Sequence, residues 1–556
     1  DKSLKPLILS EKGFALTDAI ALFPRNKVAT VQRKNSEPGV FNGVEPEGII
    51  NVKSVYDTDQ FGRMGPGVLT PFEIGRTPIP QTEPADPSIE PREYVADIAA
   101  LKNPALMRAD QRPARFLRVT ASIPVPKELD RAVIGETDFD MQRLIGYAPI
   151  EPDGSVKVKV PADIPITLTV LDSNGRAFEK HSNRVQVRPG ETLTCNGCHS
   201  PQRSFPLNRF PVAGSHPNTA LKYSNGQISG AFAFENETMA ETRTRTDVTA
   251  LELSKDVIYR DVWTDTNVTP MNNEFSYLYA SLMTPAPTNG EINYPDHIQP
   301  LWDLPRPEGA CSSCHDGVTN DATNPTKLSL NGFLGSGLRM LSYNHLLVGR
   351  LVLDDSGLPM YETVDGSPKL RRALPLINPG FARGSYFVEK MFGTELFAEK
   401  ILPVDGLDHS NFLSDAEKRL VVEWIDIGAQ YFNTPKDESG NLRVLESSLA
   451  FFKFGNSIWG PMVAACGECH ARNTIDLPVN DFFVDTSFVL TRDVNDDFIA
   501  ASYMVSGTAN PQQSDLLTRP TGKRDQAHWA SGKTGVPILS ETDPLYKLIS
   551  DWIQGL

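Results

Sequence analysis

The chain has 556 residues, which is enough for several domains that each bury a hydrophobic core. Its 40% hydrophobic and 22% charged residues exclude an intrinsically disordered protein, and no run of roughly 18 apolar residues predicts a transmembrane segment. The formal net charge of −15 disfavours nucleic acid and anionic membranes as partners and is compatible with a basic partner protein.

The N-terminal region has little regular pattern. A proline-rich stretch from Ile79 to Glu93 has the composition of a linker or domain boundary. Residues 1–94 are therefore predicted to form an irregular N-terminal extension, and a separate domain is expected to follow it.

Residues 95–290 carry a pattern that is typical of β-strands. Ser155 to Val160 alternates apolar and polar residues, and Pro165 to Leu171 does the same. The next segment, Asp172 to Gly175, contains an Asn-Gly pair of the kind that closes hairpins. The returning chain leads to Cys195, so this region is predicted to be a β-rich, sandwich-like module that presents this cysteine at its edge.

All six cysteines of the sequence lie in three pentapeptides of the form Cys-X-X-Cys-His. This is the signature of c-type haem attachment, in which both thiols bind the haem covalently and the histidine is the proximal iron ligand. Structural zinc needs four ligands in one site, and a redox-active cysteine pair does not need the histidine. The sequence therefore predicts three covalently attached haem c groups, held by Cys195, Cys198 and His199, by Cys311, Cys314 and His315, and by Cys466, Cys469 and His470.

The last two motifs belong to a diverged internal repeat. Each copy has a haem motif, a serine followed by apolar residues, a lone histidine and an amphipathic helix that contains Trp-Ile. The helix Ser414 to Gln430 closes the first copy and begins with a capping box of Ser414 and Glu417. Pro544 lies near the start of the second closing helix, where proline is tolerated. These features predict two cytochrome-c-like helical domains, at residues 291–437 and 438–556.

The predicted fold class is a multidomain α+β protein, in which the β-rich haem-bearing module of residues 95–290 precedes the two α-helical domains. Because haem is attached to such motifs after export, we expect that a signal peptide was removed before Asp1. The expected location is the periplasm or the cell exterior.

The second axial ligand of each iron separates an electron carrier from a site that can bind a substrate. His409 and His528 occupy matching positions in the two repeat copies, which predicts them as the second ligands of the haems at Cys311–His315 and Cys466–His470. The sequence leaves four competitors open: His297, His345, Met391 and Met504.

The first haem motif has no repeat partner. The nearby histidines are His181 and His216, and either could bind the iron, bind another metal ion or serve the fold. An open iron position here would make this haem the candidate catalytic site. The sequence leaves open whether the protein also binds calcium or zinc. The acidic run Asp493 to Asp497 could bind calcium, but it lacks EF-hand spacing and is predicted to be a solvated loop.

Two segments, Gly146 to Ser155 and Val187 to Cys195, resemble the haem-binding middle domain of the hydrazine synthase alpha subunit. The likeness continues through Ile292 to Pro300 and covers about residues 95–435. The resemblance implies a catalytic-type haem in the middle domain and a bis-histidine electron-transfer haem behind it.

Two departures from that family are expected. The stretch before Pro91 is too short for the N-terminal β-propeller of the family. In the family, a tyrosine shortly after the motif binds the iron of the middle-domain haem, and the motif histidine binds zinc. Here the next tyrosine after His199 is Tyr223, which is 24 positions further along the chain.

Three functions are compatible with these patterns. The leading hypothesis is a secreted triheme c-type cytochrome that transfers electrons to or from a redox partner protein, with the first haem as reaction or electron-entry site. The second is a hydrazine-synthase-like oxidoreductase subunit that acts on a small inorganic nitrogen or sulfur species at the first haem. The third is a subunit of a conductive filament, for which three motifs in 556 residues are sparse. Assembly into an oligomer is left open.

Overall fold

The structure is a computed structural model of the chain. It describes residues 46–56, 81–82, 95–96, 112–178, 184–197, 234, 237–260, 274–287, 289–317, 327–334, 339–394, 396, 409–445, 449–470, 488–505, 510–523 and 538–556. From Glu47 onward these residues belong to one compact unit, which spans Glu47–Leu556. Small sheets and short helices alternate along it, in agreement with the α+β class that the sequence predicts.

The strands, in chain order, are β1 (Glu47–Val52), β2 (Gln81–Thr82), β3 (Val95–Ala96), β4 (Phe116–Ser122), β5 (Gln142–Pro149), β6 (Val156–Pro161), β7 (Ile166–Leu171), β8 (Thr192–Cys195), β9 (Val257–Arg260), β10 (Glu274–Tyr277), β11 (Tyr361–Val364) and β12 (Ser367–Leu370). Two of the described sheets have three strands, in the orders β6-β1-β8 and β5-β4-β7. In the first sheet, β1 is antiparallel to β6 and parallel to β8. The strands β2 and β3, β9 and β10, and β11 and β12 form antiparallel pairs.

The helices are α1 (Met239–Thr246), α2 (Gln299–Asp303), α3 (Cys311–Cys314), α4 (Leu341–Leu347), α5 (Tyr386–Phe392), α6 (Asp415–Asp426), α7 (Leu449–Lys453), α8 (Trp459–His470), α9 (Val494–Tyr503), α10 (Asp515–Thr518) and α11 (Pro544–Ile553). Short 3₁₀ turns lie at Arg131–Val133, Val248–Leu251, Tyr279–Ser281, Ala382–Gly384 and Pro511–Gln513, and π-helical turns lie at Tyr294–Ile298 and Phe454–Ile458. In the described part of the chain, no helix is long and apolar enough to cross a membrane.

The two three-stranded sheets share one hydrophobic core. Ile50 on β1 and Val158 on β6 are fully buried, and so are Val119 on β4 and Ile166 on β7 in the facing sheet. The inward side chains of β6 alternate with half-buried ones, as the sequence pattern predicts. The predictions of strands at Ser155–Val160 and Pro165–Leu171 are therefore confirmed.

The predicted Asn-Gly turn is also confirmed. Gly175 has a φ of +75°, in the left-handed region that glycine adopts without strain. The carboxylate of Asp172 accepts a hydrogen bond from the backbone N–H of Asn174 at 2.8 Å, which fixes the turn locally. The chain then returns along β7 through bridges from Leu171 to Ala177 and from Ile166 to Val185.

A second core surrounds α6. The fully buried rings of Tyr294, Tyr343 and Trp424 meet at its centre, with the Tyr294 ring 5.1 Å from each of the other two. The capping box of Ser414 and Glu417 is present, which confirms the predicted start of this helix. Its predicted end at Gln430 is wrong: the helix ends at Asp426, because Gly428 has a φ of +122° and breaks the helical path.

A third core lies in the C-terminal part of the chain. It contains the buried side chains of Phe454, Phe498, Ile549 and Trp552. Pro544 occupies the first turn of α11, as predicted. The cores around α6 and α11 contain the closing helices of the two repeat copies, whereas the boundaries of the four predicted domains stay a prediction.

Buried ionic and polar contacts join α6 to the β-rich module. Arg118 on β4 is 1% exposed and donates to the Asp426 carboxylate at 3.1 Å. The same carboxylate accepts the backbone N–H groups of Ala177 and Ala382, both at 2.8 Å. Removing one member of a buried ion pair leaves the other charge without compensation. This junction is therefore expected to contribute strongly to stability.

We expect Asp426→Asn to lower the free energy of unfolding by about 3–5 kcal/mol, because it leaves the Arg118 guanidinium buried without its counter-charge. The matched control is Glu252→Gln, which removes an exposed carboxylate that pairs with Lys159. An exposed pair contributes at most about 1 kcal/mol. Urea unfolding of both variants measures the difference. Equal losses in the two would show that the Arg118–Asp426 pair does not stabilise the junction.

Candidate haem centres

The second Cys-X-X-Cys-His motif forms a single helical turn. Cys311 to Cys314 is α3, and the backbone N–H of His315 closes the turn by donating to the Cys311 carbonyl at 2.9 Å. The thiols of Cys311 and Cys314 are half-buried and are not joined in a disulfide bond. Both thiols and the histidine are thus presented from one short turn, as covalent attachment of one haem would require.

His315 lies opposite the histidine that the repeat predicts as its partner. The ring centres of His315 and His409 are 5.9 Å apart, and the ring planes differ by 30°. Two imidazoles that bind opposite sides of one metal ion, with metal–nitrogen bonds of roughly 2 Å, have ring centres roughly 6 Å apart. The distance between the ring centres of His315 and His409 is of that size.

Sequence reasoning missed the ion pair that supports this site. The Arg306 guanidinium donates to both carboxylate oxygens of Glu417, at 2.9 and 3.2 Å. Burial raises the pKa of the Cys311 thiol, and the nearby Arg306 guanidinium partly offsets this effect. Arg306 precedes Cys311 by five residues and Glu417 belongs to the capping box of α6, so this pair fixes the motif turn against α6.

The third motif lies at the C-terminal end of α8. Nδ1 of His470 is 2.7 Å from the backbone carbonyl oxygen of Phe488. A carbonyl can only accept, so Nδ1 carries the proton and Nε2 keeps its lone pair. This second contact is typical of metal-binding histidines, because it fixes the tautomer and the ring orientation. The sequence signal is the motif itself, whereas the role of Phe488 is visible only in the fold.

A cavity adjoins His470 and Cys466. Its walls are mainly apolar, with one charged pair at the edge formed by Arg519 and Asp515. The cavity is small, with a volume of about 60 Å³. The apolar side chains that line it are Met462, Phe488, Met504, Leu516, Leu539 and Ile549.

The competing histidines have different hydrogen bonds. Nδ1 of His345 accepts the backbone N–H of Ser329 at 3.0 Å, whereas Nδ1 of His297 lies 3.0 Å from the backbone nitrogen and 3.2 Å from the carbonyl oxygen of Asn293. With Nδ1 accepting, the proton of a neutral ring is on Nε2, which leaves no lone pair there for a metal ion. This contact of His345 favours His409 over His345. The other competitors, Met391 and Met504, are 3% and 4% exposed.

At the first motif, Cys195 ends strand β8 and its thiol is half-buried, with its pKa raised by burial. The remaining predicted residues of this site lie outside the described residues: Cys198, His199, His181 and His216. The same holds for His528 and for the side chain of Cys469 at the third motif.

The acidic run is not a solvated loop, so that prediction is wrong. Asp493 caps the N-terminus of α9, where its carboxylate accepts the backbone N–H groups of Asn495 and Asp496. Asp497 is fully buried and accepts the indole N–H of Trp459 at 2.8 Å. Among the described residues, no group of three or more His, Cys, Asp or Glu side chains could hold a metal ion.

The fold defines a mixed α+β protein, and part of its β-rich region is similar to a known family. Residues 108–200 match the family described as "Hydrazine synthase alpha subunit middle domain". The chain is also 26% identical, over 321 residues, to hydrazine synthase subunit alpha of Kuenenia stuttgartiensis. These matches confirm the resemblance that Gly146–Ser155 and Val187–Cys195 predict: the chain is similar to the hydrazine synthase alpha subunit.

The extent of the match is limited. The aligned region covers 54% of this chain and 34% of the Kuenenia stuttgartiensis subunit, so the chain spans about a third of that relative. A solved structure of Kuenenia stuttgartiensis hydrazine synthase aligns with 72% of this chain and 45% of its own, at 17% identity and a TM-score of 0.39.

The contacts of His345 predict a pH dependence of stability. Burial, with repulsion from Arg372 and Arg350, lowers the pKa of His345 to about 4. Its unfolded value is about 6.5, so stability is full above pH 6.5 and is lost as the pH falls towards 4. The loss is on the order of 3 kcal/mol.

We expect His345→Gln to flatten this part of the pH profile, because glutamine can still accept the Ser329 N–H and does not titrate. Urea unfolding of both proteins between pH 4 and 7.5 measures the difference. Parallel profiles would contradict the assignment of this titration to His345.

Proposed function

We propose that the chain is a triheme c-type cytochrome, similar to the hydrazine synthase alpha subunit, that transfers electrons through its two helical domains. The observation that carries the proposal is the pairing of His315 with His409, at 5.9 Å between ring centres, beside the thiols of Cys311 and Cys314. A haem with two histidine ligands has no open position, and this favours electron relay over substrate binding. The bound haem would supply one-electron exchange between ferric and ferrous iron.

The protein side chains would set how readily that exchange occurs. Apolar cores lie against Cys311 and Cys466 of the second and third motifs, and burial is one of the factors that set a haem potential. The Phe488 carbonyl holds the proton of His470 on Nδ1, which would raise the basicity of Nε2 as a ligand. The ion pair of Arg306 and Glu417 would hold the turn that contains Cys311 against α6.

The proposed arrangement follows the sequence predictions. The β-rich module of residues 95–290 would hold the first haem, and the domains at 291–437 and 438–556 would hold the second and third, with His528 as second ligand of the third. Attachment of haem c after export supports a periplasmic or extracellular location. The net charge of −15 suits a redox partner protein with a basic surface.

A second function is favoured by the comparisons. The matching family segment, residues 108–200, ends at the first motif and includes Cys195, Cys198 and His199. The chain would then be an oxidoreductase subunit that acts on a small inorganic nitrogen or sulfur species at the first haem, in a multisubunit assembly. The two functions are compatible when the helical domains deliver or remove the electrons of that reaction.

The count of attached haems tests the shared premise. The intact mass of the purified protein should exceed that of the polypeptide by three haem groups. Replacing Cys195 and Cys198 by alanine should remove one of them. A mass with no covalent haem would overturn both functions.

The ligand assignment predicts a contrast between two histidine variants. We expect His409→Ala to convert the ferric signal of one haem from low spin to high spin, since it would lose its second ligand and expose the iron to cyanide. The matched control is His345→Ala, which should leave all the signals unchanged because Nδ1 of His345 serves the Ser329 N–H. Electron paramagnetic resonance with and without cyanide measures both. Conversion by His345→Ala but not by His409→Ala would reverse the assignment.

The same spectra separate the two functions. A high-spin signal in the unmodified protein that converts with cyanide would identify an open iron and favour the oxidoreductase. Three low-spin, cyanide-inert haems would limit the chain to electron transfer.

A further inference from the structure

The main chain of Cys195 is held by strand β1. Val52 and Cys195 are partners in the parallel pairing of β1 and β8. Beyond the end of β1, the backbone N–H of Lys53 donates to the Cys195 carbonyl at 2.8 Å, and that of Ser54 donates to the Asn196 carbonyl at 3.1 Å. The position of the first motif is thus fixed from one side by the β-rich module.

Helix α1, which follows the first motif by about 40 residues, is anchored to the same sheet. Its first backbone N–H, from Met239, donates to the Asp153 carboxylate at 3.0 Å, and the N–H of Ala240 donates to the Ser155 hydroxyl at 2.9 Å. Arg243 of the helix pairs with Glu151 at 2.7 Å. These acceptors belong to Gly146–Ser155, one of the two segments that resemble hydrazine synthase. In this chain that part of the segment has a structural use, which is to hold α1.

Glu241 connects the two anchored elements. Its carboxylate accepts the side-chain amide of Asn51 at 2.8 Å and pairs with the ammonium of Lys53 at 2.5 Å. It also closes a capping box with Thr238 at the start of α1. Asn51, in β1, and Lys53, directly after β1, lie on either side of Val52, the partner of Cys195. The hydrogen bonds of Lys53 and Asn51 lower the pKa of Glu241 to about 2 in spite of its burial, so the carboxylate is charged at neutral pH.

We propose that Lys53, Asn51 and Glu241 form a positioning clamp for the first haem. The clamp joins the strand that holds Cys195 to the helix that follows the motif, and so it fixes how the attachment point is oriented. Lys53 and Glu241 act through the Cys195 peptide and are positioning residues. The inference rests on the proposed attachment of a haem at Cys195 and Cys198.

The test compares two variants of opposite charge change, Lys53→Met and Glu241→Gln. Both break the clamp, so both should alter the resonance line shape and shift the midpoint potential of the first haem in the same direction. A purely electrostatic effect would shift the two potentials in opposite directions, because loss of the Lys53 positive charge lowers a haem potential and loss of the Glu241 negative charge raises it. The second and third haems of the same molecule should keep their signals and potentials and serve as internal references.

Two controls accompany the test. Lys159→Met removes an equal charge from the same sheet, at a pair with Glu252 on the far side of β1 from β8, and should leave the line shape of the first haem unchanged. Lys53→Arg keeps the charge and the contact with Glu241 and should restore the signal. Unfolding curves of each variant verify that the protein is folded, and if Glu241→Gln is not, the pair Lys53→Met and Lys53→Arg decides the outcome.

The results have separate meanings. Opposite shifts with an unchanged line shape, or no change in either variant, would overturn the clamp. The Cys195→Ala, Cys198→Ala protein tests the premise separately. If its haem count were unchanged, no haem would be attached at these cysteines, and the proposed attachment itself would fail rather than the clamp alone.

Discussion

The architecture depends on the two buried carboxylates in the last turn of α6. Arg419 donates to Glu423 at 2.6 Å, and the hydroxyl groups of Tyr147 and Tyr279 donate to the two oxygens of the same carboxylate. One turn further, Asp426 pairs with Arg118. Charges that are this deeply buried are stable only when every partner is present, so the β-rich module and α6 can dock in one arrangement.

This arrangement also determines where the second motif lies. His409 precedes the N-cap of α6, and Glu417 in its first turn holds Arg306 beside Cys311. The same helix therefore docks on the β-rich module at its C-terminal end and supports the His315–His409 pair at its N-terminal end. A helix of 12 residues is about 18 Å long, so the docking contacts at one end of α6 and the contacts with the second motif at the other end are separated by about that distance.

The clearest sequence predictions came from local patterns. Alternation identified β6 and β7, and the capping box identified the start of α6, because in each case neighbouring residues determine the structure. The repeat predicts His409 as a second ligand, which stays a prediction, and the structure places its ring centre 5.9 Å from that of His315. The repeat could do so because it compares two copies of one fold within one sequence.

The features that the sequence did not reveal depend on distant residues. The partners of Glu423 include Tyr147, which is 276 positions away, and no local pattern indicates such a pairing. The backbone N–H of Ser329 that bonds Nδ1 of His345 is likewise a property of the folded chain. The acidic run from Asp493 was predicted to be a solvated loop, but its first residue caps a helix and Asp497 is buried against Trp459.

The third motif is connected to the second by a different kind of contact. Leu370, at the end of the hairpin β11–β12, is buried in the C-terminal core, and the hydroxyl of Tyr361 on the same hairpin accepts the backbone N–H of Val489 at 3.0 Å. The hairpin belongs to the first repeat copy, so it extends one unit into the core of the other. The contact between this hairpin region and the C-terminal core is mainly apolar, and it includes a partly buried ion pair between Arg372 and Asp496 at 3.4 Å. The junction at α6 is held by buried ion pairs and hydrogen bonds, whereas this junction depends mainly on hydrophobic burial.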